Sequence, residues 1–210
     1  MANIFDLFKQ ISSGESAKSL PVEYIVVGLG NPGRDYENTR HNAGFLTIDH
    51  IAEKCGVKID RARFKALTAS ASIGGKGVLL MKPQTFMNLS GDAVGEAARF
   101  YKVQPENIIV ISDDLNLDVG RLRIRKSGSA GGQKGLNDII EKLGTENIPR
   151  VRVGVGKKPH PDFDIKDWVL SNFTKEENAV LKALYDKAYL GVEKIVAGDV
   201  DAAMQICNGK

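Results

Sequence analysis

Three junctions in this chain carry side chains suited to opening an activated carbonyl. The first is "GLGNPGRDYENTRHNAG", residues 28–44, directly after the apolar run "YIVV". It holds Asn31, His41 and Asn42 where a dinucleotide-binding loop would already be helical, although Gly28, Gly30 and Gly33 fit the G-x-G-x-x-G spacing. That fingerprint needs a helix starting within the glycines, and an acid about 20 residues further on at the end of a second strand. Here a polar, turn-rich stretch follows Pro32, helical periodicity starts only at Ala43, and Asp49 falls inside that helix. The glycine pattern fails its context, and a nucleotide-binding oxidoreductase is set aside with it.

The second junction is "KPQTFMNLSG", where a strand ends near Lys82 and Asn88 precedes a helix; Asn88 and Ser90 both suit its N-cap. The third is Asp113, closing the strand "NIIVIS", where a carboxylate needs a partner because an unpaired buried charge is expensive. If the three strands are neighbours, Asn31, His41, Asn88 and Asp113 meet on one edge of a sheet. Asp113 can hold the imidazole in one tautomer and support its cation, and the imidazole can take a proton from water. The amides can position a carbonyl and stabilise its developing oxyanion. No G-x-S-x-G occurs, and no Ser or Cys sits in a nucleophile setting, so the chemistry is direct attack by water on an ester or similar carbonyl. Of the other two histidines, His50 on a helix and His160 in "KKPHPD" read as surface residues.

Positioning such a set needs alternating strands and helices. "VEYIVVG" and "NIIVIS" are β-branched runs suited to burial on both faces. A helix is expected from about Ala43 to Cys55, a hairpin over "ALTASASIGGKGVLLMKP", and helices over "SGDAVGEAARFYK" and "NDIIEKLG". "RLRIR" alternates, so its three arginines share one face and Leu122 and Ile124 the other. "RVRVGVG" is a further strand, Thr174 and Glu177 form a capping box before a long helix, and a last short helix starts near Asp199. The expected fold is α/β, a single domain with a mixed, mostly parallel central sheet flanked by helices on both faces. Residues 1–20 stand apart as an amphipathic helix and polar linker, with the domain proper at 21–210.

Composition sets bounds on function. The 210 residues, 42% hydrophobic and 26% charged, suit one globular domain, and no run is apolar enough to span a bilayer. The N-terminus lacks the basic flank, apolar stretch and cleavage site of a secretory signal. Cys55 and Cys207 stand alone, as expected of reduced thiols in a cytoplasmic protein rather than metal ligands. The net charge of +3 is unevenly spread. Arg121, Arg123, Arg125, Lys126 and Lys134 form one acid-free cluster, and Arg150, Arg152, Lys157 and Lys158 a second, together expected to face a polyanion.

The same residues carry a family resemblance. "VVGLGNPGRDYENTRHNAGF", "LLMKPQTFMNLSG", "VISDDLNLDVGRLRIRKSGSAGGQKGLNDI" and "IPRVRVGVGKKP" together resemble bacterial-type peptidyl-tRNA hydrolase from about Val22 to the C-terminus. The resemblance implies that His41 is the catalytic base, Asp113 its orienting carboxylate, and Asn31 and Asn88 the substrate-binding amides. Tyr36 and Met87 would line the cleft, with Asn42 supporting substrate binding beside the base. It implies a single α/β domain, no metal or organic cofactor, and a basic surface for the tRNA acceptor stem. The 3′ CCA end with its peptide would enter the cleft, and Arg123, Arg125, Lys126 and Lys134 would meet phosphates. A cytoplasmic monomer is expected. Gln133 and Lys134 depart from the His-Asn common in relatives, and Asn116 stands where an acid is common. The alternative is a non-catalytic RNA-binding relative of the splicing type, which could dispense with the four polar residues.

Overall fold

The computed structural model describes residues 20–209, so the helix expected over the first residues lies outside it. Among the described residues, seven strands form one sheet: β1 Val22–Gly28, β2 Arg61–Arg63, β3 Ala66–Ile73, β4 Lys76–Pro83, β5 Ile108–Asp114, β6 Leu122–Arg125 and β7 Arg150–Gly154. The helices are α1 Ala43–Lys54, α2 Ser90–Tyr101, α3 Lys134–Leu143, α4 Ile165–Val169, α5 Lys175–Val196 and α6 Val200–Asn208. Strand order is β2-β3-β4-β1-β5-β7-β6. The four central strands β4, β1, β5 and β7 are parallel, and antiparallel strands complete both edges. The mixed, mostly parallel α/β sheet expected from the sequence is the one found.

The unbroken apolar character of β1 and β5 follows from two cores. Tyr24, Val26, Ile109 and Ile111 point into one layer with Ile48 and Ile51 of α1 and Leu184, Ala188 and Val192 of α5. The alternate residues Ile25, Val27, Ile108 and Val110 point into the other, with Ala93, Val94 and Ala97 of α2 and Leu136 and Ile139 of α3. Each such side chain taken from water contributes roughly 1.5–3 kcal/mol, so neither face tolerates a polar alternation. No helix among the described residues is long and apolar enough to cross a membrane.

Topology decides where a ligand can sit. From β1 the chain passes through α1 and the β2–β3 strands to β4 on one side, then through α2 to β5 on the other. The winding reverses at β1 and β5, and open α/β sheets bind ligands outside the carboxyl ends of strands at such a point. Here α1 almost touches the sheet. A Cβ on Gly44 would lie 2.4 Å from the backbone of Ile111 and Leu29, and one on Gly28 would lie 2.3 Å from the Gly44 carbonyl. The glycines of the opening loop therefore serve close helix–strand contact. They press the residues just before α1, His41 among them, onto the ends of β1 and β5.

The edge strand β6 shows the alternation read from "RLRIR": Leu122 and Ile124 are buried, Arg123 and Arg125 exposed. Its outer rim is not left open at Ile124. Asn208 of α6 accepts the Ile124 N–H at 2.7 Å and donates to the Ile124 carbonyl at 3.0 Å. The Thr174–Glu177 capping box starts α5 as the sequence predicts.

Candidate active site

His41 lies on the single 3-10 turn Arg40–Asn42 that runs into α1, and Asp113 lies at the end of β5. Their side chains meet, with Nδ1 2.9 Å from Oδ2. Asp113 is only 7% exposed, so the contact answers the need of a buried carboxylate for partners. A carboxylate accepts, so Nδ1 carries the proton and the lone pair of Nε2 is left for another molecule. Burial pulls the imidazole pKa down, and the Lys134 ammonium does the same. The hydrogen bond and charge of Asp113 outweigh both and hold it above the ordinary 6.5.

The sign of that shift has two consequences. A base must be neutral, so the capacity of His41 to accept a proton is lost as pH falls through its raised pKa. The ion pair, by contrast, contributes stability below 6.5 that is lost as pH rises through the same raised value. The imidazole is therefore expected to titrate above 6.5 in the parent and lower in Asp113→Asn, followed by NMR between pH 5 and 9. An unmoved titration in that variant would detach the carboxylate from the imidazole.

The amides arrive from neighbouring strand ends. Asn31 follows β1, and its Oδ1 accepts the Met87 N–H at 2.9 Å, leaving its Nδ2 without a partner among the described residues. Asn42 does not line the cleft as a substrate contact. It is 2% exposed, and both its amide atoms are spent on the Asn31 backbone, accepting from N–H at 2.8 Å and donating to C=O at 3.0 Å. It braces Asn31 from behind. Asn88 is exposed on the turn Met87–Leu89 with no hydrogen bond among the described residues. Neither Asn88 nor Ser90 caps α2 by its side chain, since Ser90 Oγ donates to the Met87 carbonyl. The cap comes from a distance, with Asp138 Oδ2 accepting the Gly91 N–H at 2.6 Å. Met87 itself packs on Gly135, where a Cβ would come within 2.6 Å of its sulfur.

These groups open into one cleft of about 1550 Å³, walled by Asn31, Tyr36, His41, Met87, Asn88 and Asp113 and continuing past the 127–134 loop to Arg125 and Lys157. That exceeds the volume usual for a small-molecule site, about 300–1000 Å³, and is wide enough for a larger substrate. The four polar residues expected to converge do so. Residues 25–210 match the family model described as Peptidyl-tRNA hydrolase.

The chain belongs to the peptidyl-tRNA hydrolase family.

It is 50% identical to the peptidyl-tRNA hydrolase of Alkaliphilus metalliredigens over 187 residues, covering 89% of this chain and 100% of that one. It is 46% identical to that of Caldicellulosiruptor bescii over 188 residues, 90% of this chain and 98% of the other. The crystal structure of peptidyl-tRNA hydrolase from Acinetobacter baumannii superposes with a TM-score of 0.83 at 33% identity, covering 90% of this chain and 96% of that one.

In this peptidyl-tRNA hydrolase chain only the first basic cluster forms a free face. Arg123, Arg125, Lys126 and Lys134 are exposed, Lys126 lying 3.5 Å from Asp201. The second cluster is mostly turned inward, contrary to expectation. Arg150 is 2% exposed and donates to the carbonyls of Gly128, Ser129, Glu146 and Ile148, so it holds the glycine loop from beneath. Arg152 Nε lies 2.5 Å from Asp114 Oδ2, a close charge contact rather than a well-aligned hydrogen bond. Lys158 donates to the carbonyls of Pro161 and Phe163, leaving Lys157 as the exposed cation of the group. His50 is likewise not a free surface residue. Its Nε2 lies 2.9 Å from Asp186 and its ring packs beside Tyr185, joining α1 to α5. His160 is exposed, as expected.

Proposed function

We propose that this chain hydrolyses the ester joining a peptide to the 3′ end of tRNA, with His41 and Asp113 activating the attacking water. The observation that carries the mechanism is the contact of a nearly buried carboxylate with Nδ1 of an imidazole whose other nitrogen has no hydrogen-bond partner among the described residues. Water adds to the ester carbonyl carbon as its proton passes to Nε2, and the resulting imidazolium is stabilised by Asp113. The free Nδ2 of Asn31 and the amide of Asn88 supply donors for the oxyanion, as electrostatic stabilisation of such an intermediate requires. Collapse breaks the bond to the ribose oxygen, which takes the proton back from Nε2 and leaves as tRNA. Tyr36 and Met87 flank the reacting bond, and Asn42 holds Asn31 in place. A cytoplasmic monomer, recycling tRNA from abandoned peptides, fits this reading.

Arg123, Arg125, Lys126 and Lys134 are assigned to acceptor-stem phosphates. Such contacts orient the substrate without reading its sequence, which suits an enzyme acting on all tRNAs. Reversing charge in Arg123→Glu/Arg125→Glu is expected to weaken tRNA binding at least about ten-fold and to flatten the slope of log affinity against log salt by roughly 1–2 units. An unchanged affinity and slope would leave the stripe a merely solvated face. The activity itself is tested by offering N-acetylated and free aminoacyl-tRNA side by side. Rapid cleavage of the acetylated form alone is the expected result; failure to cleave it would leave the non-catalytic RNA-binding alternative.

A further inference from the structure

Gln133 occupies the N-cap of α3, where its Oε1 accepts the Leu136 N–H at 2.7 Å. A backbone N–H can only donate, so that contact fixes which end of the amide is oxygen and directs the nitrogen elsewhere. Nε2 lies 3.1 Å from Asp113 Oδ1, the carboxylate oxygen that His41 does not use, and 3.1 Å from Met87 Sδ. Met87 is in turn tied by its N–H to Asn31. One half-buried amide thus touches the acid of the His–Asp pair and the residue that anchors the substrate-facing Asn31. The choice of residue is informative. Asp, Asn, Ser or Thr caps a helix better than Gln, whereas the longer amide can cap with its oxygen and still reach Asp113 with its nitrogen.

We propose that Gln133 is a positioning residue for ester hydrolysis: it restrains Asp113 through Oδ1 so that Oδ2 stays on the imidazole of His41. The inference rests on the His41–Asp113 reading above. The charged groups acting on His41 are Asp113 from β5 and Lys134 from α3. With the amide donor gone, the Asp113 charge is less dispersed and grips the imidazolium harder, so the base is protonated over a wider range of pH.

Gln133→Ser keeps a good N-cap and removes the reach. It is expected to melt with the parent yet to lower kcat on acetylated aminoacyl-tRNA about ten- to thirty-fold, as loss of a hydrogen bond to a charged group allows. KM should change by less than kcat, since the Gln133 amide is already committed to Asp113 and the Leu136 N–H, although the residue borders the cleft. The acid limb of the pH profile should move upward. Gln133→Glu, which keeps an oxygen for the Leu136 N–H and sets a carboxylate against Asp113, should lower kcat further and move the limb further. Parental kcat with a parental acid limb in Gln133→Ser overturns the proposal, leaving Gln133 a helix cap. So does a fall in kcat matched by lost stability with the limb unmoved. Asp113→Asn is measured alongside, and adding Gln133→Ser to it should cost nothing more; an additive loss also overturns the coupling. If Asp113→Asn alone turns over like the parent, the His–Asp mechanism has failed, a result distinct from a silent Gln133→Ser beside an impaired Asp113→Asn.

Discussion

His41→Ala is expected to lower turnover of blocked aminoacyl-tRNA by about three orders of magnitude, within the roughly 10²–10⁴-fold range of a positioned general base. Single-turnover cleavage would report the loss, and equilibrium binding of uncharged tRNA should remain near parental. The separation follows from geometry. His41 sits on the cleft wall at the end of β1 and β5, while the exposed cations Arg123 and Arg125 lie on β6 at the sheet edge. Some stability should also go, because Asp113 is 7% exposed and, among the described residues, its side chain keeps only Gln133 once the ring is removed. Turnover equal to the parent would remove His41 from the chemistry.

Arg40→Ala is expected to destabilise the fold by about 1.5–3 kcal/mol, the cost of losing hydrogen bonds to a charged group whose partner, Glu177, stays partly exposed and screened. Arg40 is 2% exposed, yet its guanidinium is fully engaged. It pairs with both oxygens of Glu177 at 2.9 and 2.8 Å, donates to the Val155 carbonyl and Ser171 Oγ, and stacks 3.8 Å from the Trp168 ring centre. Its backbone N–H also bonds the Ser171 carbonyl, so the turn carrying His41 is stitched to the segment before α5. Chemical denaturation should show the loss, and Arg40→Lys should recover only part of it, because an ammonium cannot make the forked contact. A stable Arg40→Ala would mean that the stacking and hydrogen bonds are dispensable. Burial works against the Glu177 carboxylate, but the Arg40 hydrogen bond and the Thr174 N–H outweigh it and lower its pKa below 4.5. Its contribution is therefore present above 4.5 and lost as pH falls through the lowered value.

The candidate site was readable where chemistry sits at strand ends. Asn31, His41, Asn88 and Asp113 each follow or close a run whose apolar pattern marks a strand, and α/β sheets put ligands at those ends. The interior partnerships were not readable in the same way. Arg150 and Arg152 look like surface cations in a basic stretch, but the carbonyls and the carboxylate that bind them come from other loops. Asn42 stands beside His41 in the sequence and faces away from it in space, because a 3-10 turn separates adjacent side chains by about a third of a revolution. His50 and Arg40 depend on Asp186 and Glu177, 136 and 137 residues away, and no local pattern announces such a pairing. Gln133 was visible only as a departure from relatives; its bond to Asp113 needed coordinates.

The contact between Asn208 and Ile124 bears on assembly. A half-open sheet margin invites another polypeptide to dock alongside and extend the ladder, and here one carboxamide fills that vacancy with a donor and an acceptor. The final helix thereby does more than cover apolar surface: it fills one outward donor and one outward acceptor of that margin from within its own molecule.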